Sequence, residues 1–99
     1  MKSDEELIAL ANRGDPEAFE ELYYRYRDWV YRLARRFTYS DADALDVLQD
    51  TFGYLLGKFP GFELTASMTT FLYPVVKHTA FRVRRKSKRF TSDQDVLEG

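Results

Sequence analysis

Apolar side chains recur along this chain at intervals of three and four residues, and nowhere in the two-residue alternation of a half-buried strand. Ser3-Asp4-Glu5-Glu6 has the form of a capping box, in which Ser3 bonds the Glu6 amide and the Glu6 carboxylate reaches back. Leu7, Leu10 and Ala11 then share one side of a short helix that Gly14 can terminate. Asp15-Pro16 restarts the chain as an N-cap carboxylate followed by proline at the first helical position. Phe19, Leu22, Tyr23, Tyr26, Val30, Leu33, Ala34 and Phe37 keep the helical rhythm and predict a long second helix ending near Phe37.

Thr38-Tyr39-Ser40-Asp41 supplies the next break and a choice of N-caps, with Asp41 and Asp43 favourably close to a helix N-terminus. Leu45, Leu48, Phe52, Leu55, Leu56 and Phe59 predict the apolar stripe of a third helix, which Pro60-Gly61 stops near Lys58. Residues 60–67 form a loop that holds Phe62 among small and polar residues. Met68, Phe71, Leu72, Val75, Val76, Thr79, Ala80 and Val83 mark a fourth stripe, interrupted by Pro74. A helix beginning near Ser67 would carry that proline in its second turn and bend there, whereas one beginning near Tyr73 would hold it in its first turn. The single bent helix is favoured. Four helices with one apolar stripe each predict an all-α fold, a compact bundle over residues 1–90. The polar, acidic residues 91–99 read as the start of a linker or a disordered tail.

Bulk composition adds little: 44% apolar and 31% charged residues in a 99-residue chain describe one soluble globular domain. The absence of cysteine removes disulfides and thiolate metal sites. No apolar run reaches the length of a membrane span and Met1-Lys2-Ser3-Asp4-Glu5-Glu6 is no signal peptide, so a cytoplasmic protein without a membrane partner is expected. Charge is more informative. The net −1 conceals a block, residues 77–90, that contains Lys77, Arg82, Arg84, Arg85, Lys86, Lys88 and Arg89 and no acidic side chain. A basic block within an otherwise acidic chain points to a polyanionic partner, against the alternative of a solvated helix end.

Catalytic chemistry finds no support. His78 is the one histidine, and there is no Ser/His/Asp set or glycine-rich phosphate loop, so neither an enzyme nor a cofactor is expected. Asp46 and Asp50 stand one turn apart but lack further ligands at a metal-binding spacing. They share a face of the third helix with Gln49, Gly53 and Gly57, opposite its apolar stripe. Like charges on neighbouring turns and two glycines each weaken a helix, the glycines by about 1 kcal/mol relative to alanine. Such a face suits either a close-packing partner or another helix of the same bundle, and spacing alone does not decide between them. Further along, Phe62, Phe71, Tyr73 and Phe81 accompany Lys77, Arg82, Arg84, Arg85 and Lys86. Aromatics that stack on unpaired bases beside cations that hold phosphates are what capture of a single strand requires, although Phe71 and Phe81 also suit a core.

Three stretches together resemble region 2 of the sigma-70 family, especially its extracytoplasmic-function group. They are Gly14-Asp15-Pro16-Glu17-Ala18-Phe19-Glu20-Glu21-Leu22-Tyr23, then Asp46-Val47-Leu48-Gln49-Asp50-Thr51-Phe52 after Asp41-Ala42-Asp43-Ala44, and finally residues 68–78. The resemblance covers residues 4–89 and implies a transcription initiation factor domain. It implies that Asp46, Gln49, Asp50 and Gly53 dock on the β′ coiled coil of core RNA polymerase, which resolves the third-helix face in favour of a partner. It also implies that the loop at Phe62 captures a base flipped from the promoter −10 element. Phe71, Tyr73, Lys77, His78, Arg82, Arg84, Arg85 and Lys86 would then follow the melted DNA. An anti-sigma factor is a further candidate partner. The family usually has tryptophan at Phe71, an arginine-like residue at Pro74, asparagine at His78 and often aspartate at Arg82. The location of this helix therefore carries over, but its base preference does not. The competing reading is a helical interaction module, a sigma-like decoy or anti-sigma-binding domain, without DNA contact.

Overall fold

The computed structural model describes the backbone of residues 1–98 and the side chains of residues 1–87. Four helices follow one another: α1 (Asp4–Asn12), α2 (Pro16–Thr38), α3 (Asp41–Leu56) and α4 (Met68–Glu98). Each start has its expected cause. At α1 the Ser3 hydroxyl accepts from the Glu6 amide and the Glu6 carboxylate accepts from the Ser3 amide, closing the capping box. At α2 the Asp15 carboxylate accepts from the Glu17 amide at 3.0 Å, with Pro16 in the first turn. Ser40 is the cap that α3 selects, accepting from the Asp43 amide, and the Ser67 hydroxyl accepts from the Thr70 amide at the head of α4. No helix among the described residues is long and apolar enough to cross a membrane.

The stripe expected on α3 is rotated in the structure. Ala44, Val47, Thr51, Phe52 and Leu55 are buried, whereas Leu45 is 55% and Leu56 54% exposed. The reason is that α3 packs against both α2 and α4, so its buried arc is centred between them and is wider than one line of leucines. Thr51 falls inside that arc despite its hydroxyl, which has no hydrogen-bond partner among the described residues. Helix α3 also stops a turn-fraction earlier than expected, with Gly57 as its cap and two further turn bonds, Lys58 N to Leu55 O and Phe59 N to Leu56 O.

Helix α4 is continuous through Pro74, which settles the choice between one helix and two. Proline lacks the amide that would bond the Thr70 carbonyl, and its exposed position lets water serve that carbonyl. The buried side of α4 comprises Met68, Leu72, Val76, Thr79, Ala80 and Val83. Its backbone is helical to Glu98. The side chains of Lys88, Arg89 and the acidic residues beyond lie outside the described residues.

Helix α1 is fastened to α2 by a polar clamp as well as by Leu7 and Ile8. The Asp4 carboxylate accepts from Arg25 at 2.8 Å and from the Tyr26 hydroxyl, and Arg25 also donates to the Lys2 carbonyl. Burial, the hydrogen bond to Asp4 and the charge of that carboxylate push the Tyr26 hydroxyl up to about 12. An unfolded tyrosine ionises near 10, so between these values the native state holds a proton that the unfolded chain has released. Stability from this group is thus complete below pH 10 and is lost as the pH rises towards 12. Urea midpoints should fall over that window, and Tyr26→Phe should fall less steeply than the wild type.

Candidate functional site

On the outer side of α3 the structure gathers Asp46, Gln49, Asp50 and Gly53, all exposed. A Cβ built on Gly53 would meet nothing within 4 Å. The glycine therefore serves no packing within the bundle, and the face is open to something outside the chain. Leu45 and Leu56 border it, two exposed apolar side chains that the sequence pattern had assigned to the core. A shallow groove of about 390 Å³, lined by Tyr23, Leu45, Asp46, Leu48, Gln49 and Phe52, runs between this face and α2. Acidic, amide and apolar groups side by side are the mixture that protein–protein contacts use. The signal that could have found Leu45 and Leu56 is their flanking position, one on each end of the polar face.

Helix α4 exposes two strips. Helical spacing places Tyr73, Lys77, Phe81 and Arg84 along one edge and His78, Arg82 and Arg85 along another, with Lys86 beyond; all are exposed. The first edge is supported by Phe37 of α2, whose ring lies 6.1 Å from Tyr73 and 5.9 Å from Phe81, both edge-on. The Lys77 ammonium sits 6.0 Å from the centre of the Phe81 ring, and the Arg84 guanidinium 5.5 Å from that of Tyr39. Cations and half-exposed rings thus alternate along this edge. Phe37 and Tyr39 had no place in the sequence-based set, because their contacts with α4 depend on tertiary packing.

The second strip meets the α3 face. Arg82 approaches the Asp50 carboxylate at 3.7 Å, and nearer the end of α4 Ser87 donates to Asp43 at 2.8 Å. The two candidate faces are therefore neighbours, joined by an exposed ion pair worth about 0–1 kcal/mol.

Phe62 requires a correction. It is 7% exposed, with its ring 5.4 Å from Phe59 and 5.0 Å from Phe71, so it belongs to the core and is not displayed for a base. Asn12 holds it there: the side-chain oxygen accepts from the amides of Gly61 and Phe62, and its nitrogen donates to the Phe62 carbonyl. Phe71, half-buried against Phe62, also belongs to this packing. Gly61 has φ +97°, which a residue with a Cβ rarely adopts, so the turn that delivers Phe62 needs glycine. Among the described residues no three histidine or carboxylate groups converge as a metal site would need.

A model of sigma-70 region 2 matches residues 22–90, more than half of the chain. The chain belongs to the sigma-70 region 2 family. Curated relatives agree with that assignment. It is 27% identical over 90 residues to the ECF RNA polymerase sigma factor SigW of Bacillus subtilis, a match covering 90% of this chain and 48% of that protein. It is 31% identical over 87 residues to ECF sigma factor SigM of Mycobacterium tuberculosis, covering 88% and 44%. It is 30% identical over 98 residues to the ECF sigma-E factor of Escherichia coli, covering 97% and 51%. The chain spans about half the length of the curated relatives it matches. No solved structure matches it. The described elements are all helices, in keeping with that family, and the relatives named here are themselves ECF sigma factors.

The open space at Gly53 leads to a measurable expectation. Gly53→Ala should stabilise this sigma domain by up to about 1 kcal/mol, the helix-propensity difference, since the new methyl meets nothing. Thermal or urea unfolding checks this; a loss of stability would show that the glycine serves the fold itself.

Proposed function

We propose that this sigma region 2 domain docks on core RNA polymerase through α3 and holds the unpaired −10 element of a promoter along α4. The observation that carries the proposal is the pairing of two exposed faces of opposite character on adjacent helices. Asp46, Gln49, Asp50 and Gly53, with Leu45 and Leu56 at their border, offer an acidic and partly apolar surface. The coiled coil of the β′ subunit is the occupant that the family resemblance implies. Tyr73, Lys77, His78, Arg82, Arg84, Arg85 and Lys86, all exposed, supply the DNA face, beside the half-exposed ring of Phe81.

The mechanism needs no catalytic group and no cofactor. Opening a duplex forfeits base stacking of about 1.4 kcal/mol per step. Stacking of an unpaired base on an aromatic ring returns about 1–3 kcal/mol, and cations along the strand add a sequence-independent term. Binding the single strand while leaving the duplex unmatched therefore shifts the equilibrium towards the melted promoter. Phe62 and Phe71 contribute indirectly, by fixing residues 60–67 against the head of α4, and base selection would fall to the exposed residues Glu63, Thr65, Ala66 and Ser67. A basic partner seated on Asp50 would also draw that carboxylate from Arg82 and leave the guanidinium to a phosphate. The setting is the bacterial cytoplasm, and an anti-sigma factor would act by covering either face.

Two tests address the two faces. Asp50→Lys should abolish co-purification with core polymerase while leaving the helical circular dichroism and unfolding midpoint close to wild type; undiminished capture would remove the docking assignment. In the presence of core enzyme, affinity for a single-stranded −10 oligonucleotide should fall steeply with salt. Arg84→Ala/Arg85→Ala should lower the slope of log affinity against log salt by about 0.7 per lost phosphate contact. A slope that is flat in the wild type would leave the reading as a protein-interaction module without DNA.

A further inference from the structure

Tyr39 differs from the α4 residues beside it in its backbone conformation. It caps α2 in the left-handed conformation, with φ 60° and ψ 19°, a region that glycine enters freely and a bulky aromatic residue rarely does. Its side chain is 75% exposed, so burial of the ring does not offset the backbone cost. An unfavourable backbone state with no packing to balance it points to a role outside the fold.

The surroundings say what kind of role. The Arg84 guanidinium lies 5.5 Å from the ring centre, on the side of α4 that also carries Tyr73, Lys77 and Phe81. Phe37, two residues before Tyr39, touches both Tyr73 and Phe81. Tyr39 therefore ends a row in which rings and cations alternate, and it extends that row from α4 onto the α2–α3 turn. Asp41, two residues along the chain, accepts from the Tyr31 hydroxyl at 2.9 Å and from Arg35 at 2.9 Å, so its charge is shared away from this row. An exposed ring beside a guanidinium offers one flat surface and one phosphate donor, the pair of contacts that a single nucleotide presents.

We propose that Tyr39 is a base-stacking residue of this domain, working with Arg84 to hold one further nucleotide beyond those bound along α4. This rests on the DNA-binding reading above. The test uses the 99-residue chain with core polymerase and a fluorescently labelled single-stranded oligonucleotide, in which an abasic site is moved one position at a time. Tyr39→Gly relieves the backbone, so its unfolding midpoint should equal or exceed that of the wild type. Its affinity for the oligonucleotide should nevertheless fall roughly fivefold or more, the effect of losing one stacked base. Tyr39→Phe should bind within about twofold of wild type, because the ring is kept. Wild type should also show one position at which removing the base weakens binding, and Tyr39→Gly should be insensitive there. If the wild type binds no oligonucleotide, the DNA reading and the Tyr39 assignment fall together. If it binds and Tyr39→Gly binds equally well, only the assignment falls. Weaker co-purification of Tyr39→Gly with core polymerase, at unchanged oligonucleotide affinity, would also overturn it by placing Tyr39 against protein.

Discussion

Helix α3 is wedged between α2 and α4, and that packing determines which side chains the molecule has left to offer. Ala44, Val47, Thr51 and Leu55 are fully buried or nearly so, and with Phe52 they turn a broad arc of α3 inwards. Burial of each large apolar side chain contributes about 1.5–3 kcal/mol, which outweighs the weak like-charge repulsion between Asp46 and Asp50. The arc left outside must then hold the acidic pair, Gln49 and Gly53. The same wedge holds α4 with Leu72, Val76, Thr79, Ala80 and Val83 inwards, so its cations and Tyr73 face water. Both candidate faces are thus by-products of one packing arrangement, and neither can be rotated without opening the core.

Polar contacts refine what the core dictates. The Asp4 clamp to Arg25 and Tyr26 sets α1 on α2, and Asp41 ties the start of α3 to Tyr31 and Arg35 near the end of α2. Asn12, at the end of α1, reaches fifty residues along the chain to bond the turn at Gly61 and Phe62. The two clamps that draw on α1 therefore also position the loop leading into α4. This gives the short first helix a function that its own sequence, with no unusual chemistry, would not suggest.

Much of this was legible in the sequence for reasons that are local. Ser3, Asp15 and Ser40 act through bonds to amides two or three residues away, so composition and spacing suffice to place the helix starts. What was not legible depends on which neighbours a side chain meets. Leu45 and Leu56 fit a helical stripe as well as Val47 and Thr51 do, and only the double-sided packing of α3 excludes them. Phe62 has the sequence context of an exposed loop, yet its ring completes a cluster with Phe59 and Phe71 that no local rule encodes. The left-handed backbone of Tyr39 was not legible either, since nothing in Thr38-Tyr39-Ser40 marks the tyrosine for it. Asp46, Gln49 and Asp50 on α3 and Lys77, Arg82, Arg84, Arg85 and Lys86 on α4 are exposed, as expected of charges on a helix whose other side is apolar.

The most direct measurement is the binding of a single-stranded −10 oligonucleotide to this domain, core polymerase, and the two together, followed by fluorescence anisotropy. If α3 docks on polymerase while α4 holds the strand, the mixture should bind far more tightly than either component. Asp50→Lys should return it to the level of the separate components. Equal binding with and without polymerase, or binding by the mixture that Asp50→Lys leaves unchanged, would contradict a domain that works through two adjoining faces.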